Sequence, residues 1–210
     1  MRKPQCTIFA GPNGSGKSAI YDKMQNDVPG VFINADQIAL NLRSHDVATL
    51  DTSSYRVKAG RMAIEQVNRH ITARRDFAFE TTLSSQHSLR VMRRARQAGF
   101  AVGLIYVILD TWQRNLDRVH FRVRTGGHHI PDTDVVRRYE NSLQNLPVAL
   151  KLADEAVIID NSAMEPIYLF EIGSELIIRE YDSDIELHRR LLQIVESAGM
   201  NPRDGEAGTR

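Results

Sequence analysis

The sequence has one cysteine, few aromatic residues, no long apolar run and almost no net charge. The lone Cys6 excludes a disulfide framework and is typical of a protein from a reducing compartment. No apolar run approaches the length of a membrane span, and the N-terminus has no apolar signal-peptide segment. We therefore expect a cytoplasmic protein without a membrane partner.

The near-neutral charge also limits the partners that the protein can have. A net charge of +1 gives no global field toward nucleic acid, and an aromatic content of 7% argues in the same direction. We therefore expect no nucleic-acid partner. The 210 residues suit a single domain with a substantial core, which we expect over residues 1–198, with a flexible tail at 199–210.

What the sequence does contain is a phosphate-binding loop of the pattern G-x-x-x-x-G-K-[ST]. The loop consists of Gly11, Pro12, Asn13, Gly14, Ser15, Gly16, Lys17 and Ser18. An apolar run precedes it and a helical pattern follows it, as this kind of loop requires. Its glycines let successive N–H groups point at an anion, aided by the helix N-terminus. We expect it to bind a nucleoside triphosphate, with Lys17 on the phosphates and Ser18 on Mg²⁺.

Short apolar runs alternate with helical patterns along the rest of the chain. We expect strands at 5–10, 31–33, 77–79, 102–109 and 156–159, and a hairpin of 168–172 with 175–179 that turns at Gly173-Ser174. We expect helices at 18–24, 37–43, 55–73, 88–97, 111–123, 132–146 and 184–197. This alternation predicts a three-layer α/β P-loop NTPase fold with a mainly parallel five-stranded sheet. Ligands of such sheets bind beyond the carboxyl ends of the strands.

Carboxylates follow several of these predicted strands. Asp36 comes just after the second strand, where it is suited to accept the proton of an attacking hydroxyl group. Alternatively, Asn34 or Asp36 caps the helix that follows. Asp110 ends the fourth strand, the position at which many P-loop ATPases hold Mg²⁺, and the competing interpretation is again a helix cap.

The third strand ends in a carboxylate followed by two hydroxyl groups. These residues are Glu80, Thr81 and Thr82. Together they offer hydrogen-bond acceptors and donors that suit a polyhydroxyl substrate such as a sugar. The alternative is a helix cap with an acidic residue in the first turn.

The region 112–145 is rich in arginine and is predicted to form a helical lid over the triphosphate. Two helices flank the Gly-Gly-His-His-Ile-Pro segment at 126–131. An arginine delivered by such a lid stabilises charge on the transferring phosphoryl group. Arg118 and Arg122 share one helix face at i, i+4, whereas Arg124 points elsewhere. The alternative for any single arginine is a solvated basic face.

Several blocks of sequence occur together in a characteristic order. They are residues 11–18, 34–36 and 77–83, the arginines before Gly126-Gly127-His128, and Arg137-Arg138-Tyr139. This ordered set resembles the zeta-toxin family of P-loop kinases, in particular its short chromosomal branch, which often carries the label predicted ABC-type ATPase. The resemblance covers roughly residues 5–162 and is far more specific than the phosphate-binding loop alone.

The resemblance implies a kinase that moves the γ-phosphoryl group of ATP to the 3′-hydroxyl of UDP-N-acetylglucosamine or a related UDP-amino sugar. By motif position it implies that Asp36 is the general base. It implies that Lys17 and Ser18 contact phosphate and Mg²⁺. It also implies that Glu80 and Thr81 contact the substrate.

Further roles come from the same resemblance. Arg122 and Arg137 resemble the pair of lid arginines that act in catalysis, and Arg118 and Arg138 lie close enough to compete for these roles. Asn161 follows the fifth strand, where P-loop kinases often place the adenine-side loop, so we expect Asn161 and Arg118 to contact the nucleotide.

The branch is shorter than the plasmid toxins, so the reaction is better defined than its acceptor. An antitoxin protein is a candidate partner, although none is visible within this chain. The alternatives are a P-loop ATPase without a sugar acceptor and a nucleoside or nucleic-acid kinase. The sequence argues against the hypothesis of an ABC-type ATPase, because the L-S-G-G-Q signature is absent and Thr111, not glutamate, follows Asp110.

Overall fold

The computed structural model describes residues 2–45, 52–125, 127, 129–173, 176–178 and 184–200. The strands are β1 (Gln5–Ala10), β2 (Val31–Ile33), β3 (Phe77–Thr81), β4 (Ala101–Ile108), β5 (Glu155–Asp160), β6 (Ile167–Ile172) and β7 (Leu176–Ile178). The helices are α1 (Lys17–Met24), α2 (Ala35–His45), α3 (Thr52–Ala73), α4 (Gln86–Gln97), α5 (Trp112–Arg124), α6 (Asp132–Leu152) and α7 (Glu186–Ser197).

The seven strands found in the described residues belong to one sheet, in the order β2-β3-β1-β4-β5-β6-β7. The first five strands are parallel, which confirms the predicted α/β class with a mainly parallel sheet. The predicted hairpin pairs antiparallel with β5 and extends this sheet, so the sheet has seven strands where the sequence predicted five. Ser174, Glu175 and Arg179 of that hairpin lie outside the described residues.

Apolar side chains cover both faces of the sheet. Alternate residues of β1 point to opposite sides: Ile8 joins the core beneath α3, α4, α6 and α7, whereas Phe9 joins a second core with Ile20 of α1. Tyr21 of α1 also stacks on Phe32 of β2, with ring centroids 3.7 Å apart. The structure therefore has the three layers that the sequence predicted.

Helix α6 continues through Pro147 to Leu152, whereas the sequence predicted its end at Leu146. Proline removes one backbone donor and crowds the preceding turn, which normally ends a helix. Here Leu146, Ala149 and Leu150 lie on either side of the proline and are fully buried in the core. We infer that the packing of this last turn against the sheet outweighs the cost of the proline.

The register of the central strands brings the predicted site together. β1 lies between β3 and β4, and Phe9 is paired with Glu80 and Ala10 with Thr81. The N–H of Gly11 then donates to the carbonyl oxygen of Thr81 at 3.2 Å. Because β1 to β5 are parallel, the segments that follow them emerge at one edge of the sheet.

The chain beyond α7 is described as far as Met200. Its N–H donates to the carbonyl oxygen of Val195 at 3.3 Å, and its side chain packs against the core. Residues 201–210, which make up most of the predicted tail, lie outside the described residues. Across the ranges that the structure does describe, none of the helices combines the length and the apolar character that a membrane crossing needs.

Candidate active site

Three glycines give the phosphate-binding loop its curled backbone. Gly11, Gly14 and Gly16 have φ values of +139°, +78° and +94°, in the left-handed region that favours glycine. A Cβ atom added to Gly16 would lie 2.2 Å from Nδ2 of Asn161, so this position also needs glycine for close packing. The loop therefore adopts the kind of conformation that turns main-chain N–H groups toward an anion.

Polar side chains from two other elements hold this loop from outside. Nδ2 of Asn115, on α5, donates to the carbonyl oxygen of Asn13 at 2.6 Å. Nδ2 of Asn161, after β5, donates to the carbonyl oxygen of Ser15 at 2.8 Å. Arg118 in turn donates to the carbonyl oxygen of Asn161 at 2.8 Å, and burial lowers the pKa of this arginine. The loop is thus hydrogen-bonded both to α5 and to the segment that follows β5.

We expect Asn115→Ala to weaken the binding of Mg-ATP about tenfold, because the carbonyl oxygen of Asn13 loses its buried donor and the loop is less well held. Isothermal titration calorimetry would measure the dissociation constant. Gln113→Ala, an exposed change on the same helix, is the matched control. An unaltered dissociation constant in Asn115→Ala would show that the loop keeps its shape without this contact.

The carboxylate of Glu80 lies directly beside the two functional residues of the loop. Its Oε2 accepts from Oγ of Ser18 at 2.9 Å and from Nδ2 of Asn34 at 2.8 Å, while its Oε1 lies 3.5 Å from Nζ of Lys17. Lys17 is 5% exposed and also donates to the carbonyl oxygen of Pro12 at 2.9 Å. Glu80 lies within β3, and five residues separate it from the start of α4. It is therefore not a helix cap.

Asn34 caps helix α2 and leaves the carboxylate of Asp36 in its first turn. Oδ1 of Asn34 accepts from the N–H of Asp36 at 2.8 Å and from that of Gln37 at 3.3 Å. Nη1 of Arg122 lies 3.9 Å from Oδ2 of Asp36. Asp36 therefore faces the arginine-bearing helix α5, and the side chain of Asn34 supplies the cap.

The guanidinium group of Arg122 is incompletely paired. Its Nε and Nη2 atoms are buried and have no hydrogen-bond partner among the described residues. Oγ of Ser15, in the phosphate-binding loop, is likewise buried without a partner there. Buried donors of this kind normally find a partner, because leaving one unpaired costs about 1–3 kcal/mol. An anion bound between α5 and the loop is one chemical group that satisfies such donors.

Arg138, and not Arg137, faces the phosphate-binding loop. Its Nη1 donates to Oδ1 of Asn13 at 3.1 Å and its Nη2 to Oδ2 of Asp134 at 3.2 Å, and burial lowers its pKa. Arg137 is 56% exposed and donates to Oδ1 of Asp134 at 2.8 Å. Neighbouring residues of a helix point about 100° apart, so only one of the two can face the loop. Arg138 is therefore the one of these two arginines that contacts the loop, and the catalytic role predicted for Arg137 with Arg122 stays a prediction.

Asp110 contacts residues of α5 and of the segment after β5. Its Oδ1 lies 2.8 Å from Nε of Arg114, and its N–H donates to Oγ of Ser162 at 2.7 Å. Thr111 caps α5, since its hydroxyl accepts from the N–H of Arg114 at 3.4 Å. The predicted role of Asp110, as a Mg²⁺ ligand together with Ser18, stays a prediction. The carboxylate that the structure places beside Ser18 is that of Glu80.

A polar cavity of about 190 Å³ opens beside the loop. Its lining residues are Asn13, Asn34, Ala35, Asp36, Arg56, Glu80, Thr81, Thr82, Ile130 and Arg138. The hydroxyl of Thr81 is 2.6 Å from that of Ser88, and the hydroxyl of Thr82 is 2.8 Å from that of Ser84. Carboxylates and guanidinium groups thus line the same cavity, next to the phosphate-binding loop.

Two residues of this site were not predicted from the sequence. Asn115 forms one face of α5 with Arg118 and Arg122, at i, i+3 and i+7, and this spacing was a usable signal. Arg56 lines the cavity from α3, where a charged residue in a helical pattern is indistinguishable from an ordinary exposed one. Its position depends on how α3 packs, which the local sequence does not encode.

The phosphate-binding loop between β1 and α1, the strand order and the arginine-bearing helices define a P-loop kinase fold. A family model described as Zeta toxin matches residues 1–171. The chain belongs to the zeta-toxin family, which confirms the resemblance of its sequence motifs.

The chain is also similar to a relative of unassigned role and to solved structures. An uncharacterized protein of Haemophilus influenzae is 34% identical over 132 residues, which are 63% of this chain and 90% of the relative. A structure of AvrRxo1-ORF1:-ORF2 with ATP has a similar chain with a TM-score of 0.71 and 14% identity, over 97% of this chain and 66% of that one. The PezAT toxin-antitoxin structure of Streptococcus pneumoniae gives a TM-score of 0.54 at 15% identity, over 93% of this chain and 88% of that one. At this level of identity the two structures establish a shared fold.

Proposed function

We propose that the protein transfers the γ-phosphoryl group of ATP to a hydroxyl group of a UDP-amino sugar such as UDP-N-acetylglucosamine. The observation that carries the proposal is the convergence of the phosphate-binding loop, the carboxylate of Asp36 and the unpartnered guanidinium atoms of Arg122. Membership of the zeta-toxin family and a fold neighbour solved with ATP support it. The choice of acceptor rests on the resemblance of the sequence motifs.

In the proposed reaction the acceptor occupies the polar cavity beside Asp36. Its hydroxyl oxygen forms a bond to the γ-phosphorus, the bond from that phosphorus to the bridging oxygen of ADP breaks, and the hydroxyl proton passes to the carboxylate of Asp36. Glu80 and Thr82 line the same cavity and are suited to hold neighbouring hydroxyl groups. Positioning of this kind converts an encounter in solution into a reaction within one complex.

The phosphate groups are assigned to the loop and the arginines. Main-chain N–H groups and Lys17 bind the β- and γ-phosphates, while Arg122 and Arg138 neutralise charge on the transferring group. The oxygens of Ser18 and Glu80 lie 2.9 Å apart and are hard ligands of the kind that Mg²⁺ prefers, so these two residues fit a magnesium site. When bound, Mg²⁺ would neutralise negative charge on the phosphate oxygens.

We further propose that residues 1–198 act as one kinase domain, with the lid at 112–145 limited in its motion by α6. The second half of α6 is fixed in the core through Leu146 and Leu150. Closure over the nucleotide would therefore involve α5 and the first turns of α6, which carry Arg122 and Arg138. These arginines would then complete the site only when nucleotide is bound.

The test is a direct search for the phosphorylated product. The purified protein is incubated with Mg-ATP and, separately, with UDP-sugars, nucleosides and oligonucleotides, and mass spectrometry detects a gain of one phosphate. We expect this gain on a UDP-amino sugar and its loss in Lys17→Ala, because the lysine contacts the phosphates in both the ground state and the transition state. ATP hydrolysis without any phosphorylated acceptor would instead favour an ATPase, and a phosphorylated nucleoside or oligonucleotide a different kinase.

A protein inhibitor is the partner that we propose. The PezAT structure is that of a toxin-antitoxin system, and the AvrRxo1 structure contains ORF1 together with ORF2. By analogy with these fold neighbours, an antitoxin would bind the present chain and restrain its kinase activity. Purification from the native host, followed by identification of proteins that remain bound at a fixed stoichiometry and lower the phosphorylation rate, would test this.

A further inference from the structure

The end of β5 carries a buried set of hydrogen bonds that the proposed reaction does not use directly. Asp160 and His188 are 2% and 1% exposed, and Nε2 of His188 lies 2.9 Å from Oδ2 of Asp160. Oδ1 of Asp160 accepts from the N–H of Ser162 at 2.9 Å and also from its hydroxyl. Both carboxylate oxygens are therefore hydrogen-bonded, as a buried carboxylate requires.

Asn161 lies between these residues and connects them to the nucleotide site. Its N–H donates to the carbonyl oxygen of Ile108 at 2.9 Å, and its Nδ2 donates to that of Ser15 in the phosphate-binding loop at 2.8 Å. Its own carbonyl oxygen accepts from Arg118 of α5 at 2.8 Å. The turn at 160–162 thus joins the phosphate-binding loop to the helix that carries Arg122.

Helix α7 supplies a rigid support for this turn. Leu187, Leu191 and Val195 pack into the core, and this packing fixes the helix that carries His188. The carboxylate of Asp160 accepts a hydrogen bond from the backbone N–H two residues later, a local turn of limited stability by itself. A charge-assisted bond from a fixed histidine holds the other oxygen of that carboxylate, one residue before Asn161.

We propose that His188 is a positioning residue for nucleotide binding, acting through Asp160 on Asn161 and hence on the phosphate-binding loop and α5. The family match ends at residue 171, before α7, so the match carries no assignment for this histidine. The proposal rests on the proposed binding of nucleotide and is independent of the acceptor. His188 itself would not touch ATP.

The experiment compares two substitutions of the same histidine. His188→Leu fills a similar volume but removes the donor to Asp160, and we expect the dissociation constants of Mg-ATP and Mg-ADP to rise about tenfold. His188→Gln keeps a side-chain N–H at a comparable reach, and we expect it to restore affinity to within about twofold of the wild type. Calorimetry measures the affinities and thermal unfolding measures stability.

Leu191→Ala separates positioning from simple support of α7. This change leaves a cavity in the core and is expected to lower the melting temperature by roughly 4 °C or more, with nucleotide affinity retained. Equal losses of affinity in Leu191→Ala and His188→Leu would overturn the proposal, because any weakening of α7 would then have the same effect. So would a folded His188→Leu variant that binds nucleotide as tightly as the wild type.

A second route covers the case in which His188→Leu does not fold. Ser162→Ala removes the other side-chain donor to the same carboxylate, together with the acceptor of the Asp110 N–H, and is expected to raise the dissociation constants about threefold. Unchanged affinity in this folded variant overturns the proposal. A protein that binds ATP in this His188-dependent manner but phosphorylates no UDP-sugar would refute the proposed acceptor and leave the positioning role standing.

Discussion

Asp36→Asn is expected to lower the rate of phosphoryl transfer by about 10²–10⁴ while leaving the affinity for Mg-ATP nearly unchanged. An asparagine side chain cannot accept the proton of the acceptor hydroxyl, although it keeps the size and shape of the aspartate. The helix cap does not depend on this carboxylate, since Oδ1 of Asn34 accepts from the N–H groups of residues 36 and 37. Product formation under single-turnover conditions and ATP calorimetry measure the two effects separately.

Asp117→Asn is a suitable control for this prediction. Asp117 is an exposed residue of α5, and its replacement also removes one negative charge. We expect the control to change the rate less than twofold, since isolated surface charges are screened by solvent and salt. Equal loss of ATP affinity and of turnover in Asp36→Asn would instead assign Asp36 to the structure of the nucleotide site.

The features of the fold that local sequence encodes were predicted from it. The phosphate-binding loop is such a feature, because its glycines fix the backbone and the flanking patterns fix a strand and a helix. Hydrogen bonding between segments that are distant in the sequence was harder to predict. The hairpin was predicted as a unit, but its hydrogen bonding to β5 depends on contacts that no single segment specifies. The same holds for α6, where burial of Leu146 and Leu150 overrides Pro147 as a helix end.

For the site, likewise, the sequence predicts only the placements that follow from the fold class. Residues that follow parallel strands could be assigned to one edge, because that placement is a property of the fold class. The hydrogen-bond partner of Ser18 could not be predicted from the sequence. Glu80 reaches Ser18 because β3 lies beside β1 in the sheet. Asp110 precedes the cap of α5 and pairs with Arg114, four residues later in the first turn of that helix. Arg137 and Arg138 differ by one helical position, which is finer than sequence periodicity resolves.

Arg122→Ala is expected to lower turnover by about 10³ without destabilising the protein. An arginine aimed at the transferring group contributes most of its binding energy in the transition state. Two of its buried guanidinium atoms have no hydrogen-bond partner among the described residues, and an unpaired buried donor costs free energy in the folded state. Alanine removes that cost and is a better helix former, so we expect the melting temperature to stay the same or to rise.

This opposite response of activity and stability distinguishes a functional arginine from a structural one. Arg138→Ala should also reduce turnover strongly, because its side chain holds Asn13 of the phosphate-binding loop at 3.1 Å. Arg137→Ala serves as its control, since that side chain is 56% exposed and pairs with Asp134 on its own helix. A large loss of activity in Arg137→Ala, or a melting temperature several degrees lower in Arg122→Ala, would contradict this assignment. The first result would favour Arg137 as the second lid arginine, and the second would make Arg122 a structural residue of α5.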